Sequence, residues 1–144
     1  MDHQIREATS DDFEDVFALF QQLHKDKVLD KEKIRKFYDE LIQSDVHFAY
    51  VAVSKNKVIG YMDVVFRTYH FAFDFVGRIE TTVVDENLRR QGIATALTKK
   101  CEEKAKEMGC KIIELDSMLE RKSAHKFYES CGYRKRGFLF WKKL

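Results

Sequence analysis

The sequence predicts an α/β (α+β) domain in which a central mixed β-sheet is flanked by helices. Its 144 residues are the size of one ordinary domain, and 44% of them are hydrophobic, which is enough for a sizeable core. Local hairpins are predicted in the middle of the chain and strand–helix–strand crossovers towards its end, an order that is typical of a mixed sheet. No linker, repeat or low-complexity tract divides the sequence, so we expect one domain over residues 1–144.

The first third of the chain predicts a strand and two helices. Residues 4–8 are expected to form a short strand, and Thr9 followed by Asp12 is the start signal of a capped helix. Apolar residues then recur at helical spacing in two segments, which are separated by the charged stretch 24–32. The first segment carries Phe13, Val16, Phe17, Phe20 and Leu23, and the second carries Ile34, Phe37, Tyr38, Leu41 and Ile42.

The middle of the chain predicts three strands. Residues 48–53 and 58–66 are apolar and flank a polar turn at residues 54–57, a pattern that is typical of a hairpin. A third strand is expected over residues 73–84.

The last third predicts two helices that alternate with strands. One helix is expected to begin near Gly92 and to stop at Gly109, and residues 111–116 follow it as a short strand. A second helix is expected over residues 121–131, and residues 133–142 predict one or two final strands.

Composition limits the classes of partner. There are 26 lysines and arginines against 24 aspartates and glutamates, so the net charge of +2 gives no electrostatic reason to expect a nucleic-acid or membrane partner. Cys101, Cys110 and Cys131 fit no zinc or haem spacing, so no metal is expected. Unpaired thiols, a polar N-terminus and the lack of an apolar run as long as a membrane span predict a cytoplasmic protein.

The segment from Val84 to Thr95 has the features of a phosphate-binding site. A strand ends there, a loop with Arg89 and Arg90 follows, and a helix begins at Gly92. The first N–H groups of a helix lack partners within the helix and carry partial positive charge, which suits phosphate. An ordinary basic loop at the start of a surface helix would contain the same residues, so both interpretations stay open at this point.

Two sequence blocks resemble the GNAT superfamily of N-acetyltransferases. Arg89, Gly92 and Ala94 stand at the defined positions of its pyrophosphate-loop pattern, Gln/Arg-x-x-Gly-x-Gly/Ala. Residues 124–133 read Ala-His-Lys-Phe-Tyr-Glu-Ser-Cys-Gly-Tyr and match a second pattern of the superfamily. The layout is most similar to that of the aminoalkylphosphonate and other small-amine acetyltransferases.

This resemblance implies a GNAT-type acyl-CoA N-acyltransferase fold, with strands that splay apart at a cofactor cleft, and acetyl-CoA as the cosubstrate. It implies that the pyrophosphate lies on the backbone N–H groups at the start of the helix and the pantetheine arm along the preceding strand. Ser123 stands where family members often carry an asparagine that holds this arm. The implied cofactor-binding residues are Val83, Val84, Arg89, Arg90, Gln91, Gly92, Ile93, Ala94, Thr95 and Ser123.

Glu80 is the predicted catalytic base. An alkylamine has a pKa of about 10, so it must lose a proton before it can attack a thioester. Glu80 precedes Val84 on the same predicted strand, and two-residue alternation predicts that both lie on one side of it. Several branches of the superfamily carry a glutamate here. The structural alternative is an edge carboxylate paired with Arg78 or Arg67.

Tyr128 is the predicted catalytic acid. The resemblance implies that its hydroxyl points at the sulfur of the cofactor, where a phenol can protonate the departing thiolate. The structural alternative places Tyr128 in an apolar helix face with Ala124 and Phe127.

The acceptor is expected to be a primary amine of a small molecule that attacks directly in a ternary complex. The aromatic stretch at residues 66–75 is expected to line the acceptor site or a contact in a homodimer. Asp116 and Ser117 also rival Glu80 as the base, with a loop or capping role as their structural alternative. The predicted acceptor-binding residues are Arg67, Tyr69, Asp116, Ser117 and His125.

Two other functions stay open, because one fold can serve several. One is a non-catalytic module that binds acyl-CoA for regulation. The other is an acetyltransferase that acts on protein amino groups.

Overall fold

In the computed structural model, which describes residues 2–69 and 74–144, five strands form one mixed sheet in the order β1-β2-β3-β4-β5. β1 to β4 pair antiparallel with their neighbours, and β5 runs parallel to β4. The predicted fold class is therefore confirmed. The strands are β1 (Gln4–Glu7), β2 (His47–Ser54), β3 (Lys57–Tyr69), β4 (Asp74–Val84) and β5 (Ile112–Glu114).

Four α-helices accompany the sheet in the described residues, and they fall close to the predicted positions. They are α1 (Phe13–Leu23), α2 (Lys31–Ile42), α3 (Ile93–Glu107) and α4 (Lys122–Ser130). The chain divides into two compact units, residues 1–114 and 115–144. The sheet and α1 to α3 belong to the first unit, and α4 belongs to the second.

The turn before α1 is fixed by the predicted capping box. The backbone N–H of Thr9 donates to Asp12 Oδ2 at 2.8 Å, and the turn Ser10–Asp12 leads directly into α1. Arg6 on β1 holds the same carboxylate with two hydrogen bonds of 2.7 and 2.8 Å. These bonds from the Arg6 guanidinium lower the pKa of Asp12 and tie the start of α1 to the sheet.

The predicted hairpin between β2 and β3 is confirmed. Lys55 and Asn56 form its two-residue loop, with φ of +48° and +60°, and Ser54 pairs with Lys57. Two positive φ angles define the type I′ turn, whose twist matches that of the flanking strands.

α1 and α2 cover one face of the sheet. Phe13 and Phe17 of α1 and Tyr38 of α2 join Val51 and Tyr61 of the sheet in one buried cluster. The apolar spacing in the sequence therefore marks the faces that form this half of the core.

α3 covers the opposite face. Gly60 precedes Tyr61 on β3, so the two residues face opposite sides of the sheet. A Cβ at Gly60 would lie 2.9 Å from Ile93 Cγ2 and 3.2 Å from Leu97 Cδ1. The lack of a side chain at Gly60 therefore lets the first turns of α3 approach the sheet closely.

The prediction of one or two final strands was wrong, because residues 133–144 of the second unit form no helix or strand. Phe138 and Trp141 are both 78% exposed, and Phe140 is 90% exposed. Alternating apolar residues become a strand only beside another strand that completes the backbone hydrogen bonds, and no described strand pairs with this segment.

Candidate active site

The loop between β4 and α3 is anchored to α1 at its first residues. Gln22 Nε2 donates to Asp85 Oδ2 at 3.3 Å, and the backbone N–H of Glu86 donates to Gln22 Oε1 at 2.9 Å. Asp85 also accepts the backbone N–H of Asn87, and this bond is the main reason that its pKa lies below the usual value. These bonds fix the point where the strand ends.

The start of α3 has the geometry of an anion site. Arg90 and Gly92 have φ of +62° and +81°, and Gly92 is the N-cap residue, with no side chain capping the helix. The N–H of Ala96 donates to the carbonyl of Gly92 at 3.0 Å, so the N–H groups before Ala96 have no acceptor within the helix. A Cβ at Gly92 would meet no atom within 4 Å beyond its chain neighbours and the helix backbone, so the space beside Gly92 is open.

The predicted cofactor residues of this loop divide by exposure. Ile93 is 1% exposed and contacts the site of Gly60, so only its backbone can reach a ligand. Ala94 is half-buried. The exposed ones are Arg89, Arg90, Gln91, Gly92 and Thr95.

Over its last residues, the strand before the loop has a pairing strand on one edge only. β5 pairs with β4 only from Val76 to Arg78. Beyond Arg78, β4 continues to Val84 with β3 on one edge and no strand of the described first unit on the other. The side chain of Val83 is buried and that of Val84 is half-buried, so this edge can offer backbone groups to a ligand.

Glu80 occupies a β-bulge on this strand. Ile79 pairs with Val64 and Thr81 pairs with Asp63, so Glu80 is an extra residue without a partner on β3. Asp63 Oδ1 accepts the backbone N–H of Thr81 at 3.0 Å and so stabilises the bulged backbone.

The bulge changes the direction of Glu80. Val84 is opposite Gly60, on the α3 side of the sheet, whereas Arg78 is opposite Val65, on the other side. Glu80 Oε1 lies 3.4 Å from Arg78 Nε, so Glu80 shares the side of Arg78. The prediction that Glu80 and Val84 lie on one side of the strand was wrong, because the extra residue interrupts the alternation.

Glu80 lies at the end of a chain of ion pairs. Arg78 also reaches Glu114 at 3.9 Å, and Arg67 reaches Glu114 at 3.2 Å. Arg67 lies over the ring of Tyr69, 5.9 Å from its centroid. The pairing of Glu80 with Arg78 is thus present, and at 43% exposure the Glu80 side chain is still open to a substrate.

The second unit holds the remaining predicted residues, whereas the loop, the β4 edge beyond Arg78 and Glu80 belong to the first. Tyr128 is half-buried, and its ring centroid lies 5.0 Å from that of Phe127 and 5.7 Å from that of Tyr133. His125 Nε2 lies 2.9 Å from the carbonyl oxygen of Met118, so this histidine holds the segment before α4.

Three other predicted residues of the second unit differ in exposure. Ser123, in the first turn of α4, and Asp116 are exposed, and Ser117 is half-buried. Of the predicted aromatic stretch at 66–75, residues 70–73 lie outside the described part of the chain.

A cavity that the sequence did not predict lies between α1, α2 and the sheet. Its volume is about 600 Å³. His47 and Asp63 lie at its sheet end, with His47 Nε2 2.5 Å from Asp63 Oδ2, and Asp63 is 3% exposed. The signal for this site was an aspartate within the apolar run of β3, and only the sheet register shows which histidine it meets.

Neither Cys101 nor Cys110 is an activated nucleophile. Cys101 is fully buried, and burial raises the pKa of its thiol. Burial also raises the pKa of Cys110. A protonated thiol is a poor nucleophile, so acyl transfer through either of these two cysteines is disfavoured.

Comparison with models of protein families matches residues 4–133 to the acetyltransferase (GNAT) family. The chain belongs to the GNAT family of acetyltransferases. The chain is 31% identical over 142 residues to the aminoalkylphosphonate N-acetyltransferase of Salmonella typhimurium, covering 98% of this chain and 91% of that protein. As a GNAT member with such a relative, the chain is an N-acetyltransferase, and the family resemblance of its two sequence blocks is confirmed.

Solved structures share the fold over almost the whole chain. A protein described as a transcriptional regulator from Bacillus halodurans C-125 has a TM-score of 0.91 at 25% identity, covering 99% of this chain and 100% of that one. AAC(6')-Iy, in complex with the bisubstrate analogue CoA-S-monomethyl-acetylneamine, has a TM-score of 0.88 at 21% identity, covering 100% of this chain and 99% of that one. GNAT neighbours are thus seen with CoA or a CoA analogue.

Across residues 2–69 and 74–144, no three His, Cys, Asp or Glu side chains are grouped so that they can hold a metal ion. None of the helices described is both long and apolar enough to span a membrane.

Proposed function

We propose that this GNAT enzyme acts as one domain over residues 1–144 and transfers the acetyl group of acetyl-CoA to a primary amine of a small molecule. The observation that carries the proposal is the uncapped start of α3 at Gly92, directly after a strand that pairs with β5 only up to Arg78. The first feature suits a pyrophosphate, and the second suits the amides of a pantetheine arm.

The pyrophosphate is assigned to the loop at the start of α3. The N–H groups from Gly92 to Thr95 precede the first helical donor with an acceptor, and the helix dipole adds positive charge there. Arg89 and Arg90 are exposed beside them and add two full charges. The open space at Gly92 supports a close approach of the ligand to the backbone.

The pantetheine arm is assigned to the edge of β4 between Glu80 and Val84. Its amides would lie along β4 beyond Arg78, where β5 no longer pairs with this strand. The hydroxyl of Ser123 is assigned as a further donor to this arm, in place of the asparagine that other members often carry.

Glu80 is assigned as the base. It accepts the proton of the bound ammonium, directly or through one water, and the neutral amine then attacks the thioester carbonyl carbon. A C–N bond forms, the nitrogen of the intermediate passes its second proton to water, and the C–S bond breaks so that CoA leaves as a thiolate. The position of Glu80 in the bulge, with a part-exposed carboxylate, supports this role.

Tyr128 is assigned as the acid that protonates the thiolate. Its contacts with Phe127 and Tyr133 fix the ring and are compatible with both the catalytic and the packing role. Acceptor binding is assigned to Arg67, Tyr69, Asp116, Ser117 and His125. Arg67 and His125 already have partners in the structure, Glu114 and the carbonyl of Met118, which a substrate would have to share or replace.

Named relatives favour a small-molecule acceptor, since they are described as acting on aminoalkylphosphonates and aminoglycosides. We keep the cytoplasm as the proposed location, in line with three free cysteines, and a homodimer as the proposed assembly.

Thermal melting with acetyl-CoA, followed by a thiol-release assay with mixed amines, tests this function. Acetyl-CoA at 100 times its dissociation constant should stabilise the fold by about 2.7 kcal/mol. Stabilisation without amine-dependent thiol release would favour the regulatory module. Release only with peptides would favour protein amino groups. No shift at millimolar acetyl-CoA would overturn the cofactor assignment.

A further inference from the structure

The cavity beside the bulge joins two kinds of surface. Its walls are apolar and come from α1, the segment that follows it, and α2, with Phe20, Leu29, Ile34, Phe37 and Leu41 among them. Phe37 is 56% exposed although it was predicted for the apolar face of α2. An aromatic ring that stays exposed beside a cavity is available to an apolar ligand.

The sheet end of the cavity is polar. Asp63 shares its carboxylate between His47 Nε2 and the backbone N–H of Thr81. In a neutral ring, a proton on Nε2 leaves Nδ1 as an acceptor, so His47 can accept a hydrogen bond from an amine. Thr81 directly follows Glu80, so this end of the cavity reaches the bulge that carries the proposed base.

The charges that line the cavity favour a cation over an anion. Asp63 and Glu40 supply two carboxylates, and no lysine or arginine is found among the described lining residues. His24 and His47 are the basic side chains there. An ammonium group is attracted to such a site, whereas a phosphonate would face two carboxylates and no lysine or arginine.

None of the five residues assigned to acceptor binding above lines this cavity. We propose that the cavity is the acceptor pocket in their place, and that the acceptor is an amine with an apolar aryl or alkyl body and no anionic group. This inference rests on the proposed function and names its substrate class. The amine lies against His47 and Asp63, and the apolar body lies between α1 and α2. A volume of about 600 Å³ is within the range of small-molecule sites. The chain would thus differ in acceptor from the aminoalkylphosphonate enzyme that it resembles.

The test compares phenethylamine and hexylamine with 2-aminoethylphosphonate, first by calorimetric titration and then as acetyl acceptors. Both apolar amines should bind, and kcat/KM should exceed that of the phosphonate at least about tenfold. Ile34→Trp fills the cavity and should raise the KM of phenethylamine at least about tenfold without changing the KM of acetyl-CoA. Lys36→Trp, at an exposed position of α2 outside the cavity lining, is the matched control and should change neither value.

Circular dichroism checks the fold of each variant, and Leu41→Phe, a smaller change in the same wall, replaces Ile34→Trp if that variant unfolds. Failure of both apolar amines to bind the wild type, or a preference for 2-aminoethylphosphonate, overturns this inference. An equal effect of the cavity and control variants overturns it as well. Binding of acetyl-CoA is measured on the same samples, so loss of the proposed function is distinguished from loss of the acceptor class.

Discussion

Gly92→Ala tests the anion site at the start of α3, and Gly109→Ala is its matched control. The two glycines flank the same helix with φ of +81° and +84°, and a Cβ at either would meet no atom within 4 Å. Both substitutions therefore introduce the same backbone strain and no clash. They differ in one respect, because only Gly92 lies where the pyrophosphate is proposed to approach.

The stability effect follows from the dihedral angle. An L-residue in the left-handed region costs about 1–2 kcal/mol, so both variants should lose that amount of unfolding free energy. In a domain of about 150 residues this lowers Tm by about 2–8 °C. The two losses should be alike, because neither site offers new packing to offset the strain.

The binding effect should be confined to Gly92→Ala. Its Cβ displaces the phosphate from one or more backbone N–H groups, and a hydrogen bond to a charged group is worth about 1.5–3 kcal/mol. Since about 1.4 kcal/mol is a factor of ten, the Kd for CoA should rise about 10- to 100-fold. Calorimetric titration measures Kd and thermal melting measures stability. Equal Kd values in both variants would refute the placement of the pyrophosphate.

Three further predictions concern single groups. Glu80→Gln should lower kcat about 100-fold or more at neutral pH, and the loss should shrink at high pH, where the amine deprotonates unaided; an unchanged pH–rate profile would move the base elsewhere. Tyr128→Phe should lower kcat about 100-fold or more with acetyl-CoA and change the Kd for acetyl-CoA little. The loss of kcat should be smaller with an acyl donor whose thiol has a low pKa, and equal losses with the two donors would leave Tyr128 only a positioning role. Because Arg6 lowers the pKa of Asp12 below 3.8, the ion pair stabilises the fold at neutral pH, and this stability is lost as the pH falls through the lowered pKa. Asp12→Asn should therefore lower Tm at pH 7 and flatten its fall below about pH 4, and parallel Tm curves for both proteins would contradict this.

The sequence predicted those parts of the fold that depend on local pattern. The helical spacing of Phe13 and Phe17, the polar hairpin turn and the glycines that flank α3 each act within a few residues. The uncapped start of α3 also depends on local sequence, because a single glycine after a strand sets the residue at which the helix begins.

Features that depend on pairing between distant residues were not predicted correctly. The bulge at Glu80 exists because Ile79 and Thr81 pair with consecutive residues of β3, and nothing in the sequence of β4 marks it. The contact of His47 with Asp63 likewise needs the register of β2 on β3. The prediction of strands over residues 133–142 was wrong for the same reason, because alternating apolar residues do not reveal whether a partner strand exists.

The most direct test of the acetyl-CoA site is a titration with CoA followed by the backbone amide signals in NMR. We expect the amide signals of Gly92, Ile93, Ala94 and Thr95 to shift and to gain protection from exchange, together with those of the β4 edge up to Val84. The amide of Gly109 at the other end of α3 should not move. Binding of CoA with unchanged signals at Gly92 to Thr95 would contradict the assignment of the pyrophosphate to the start of α3.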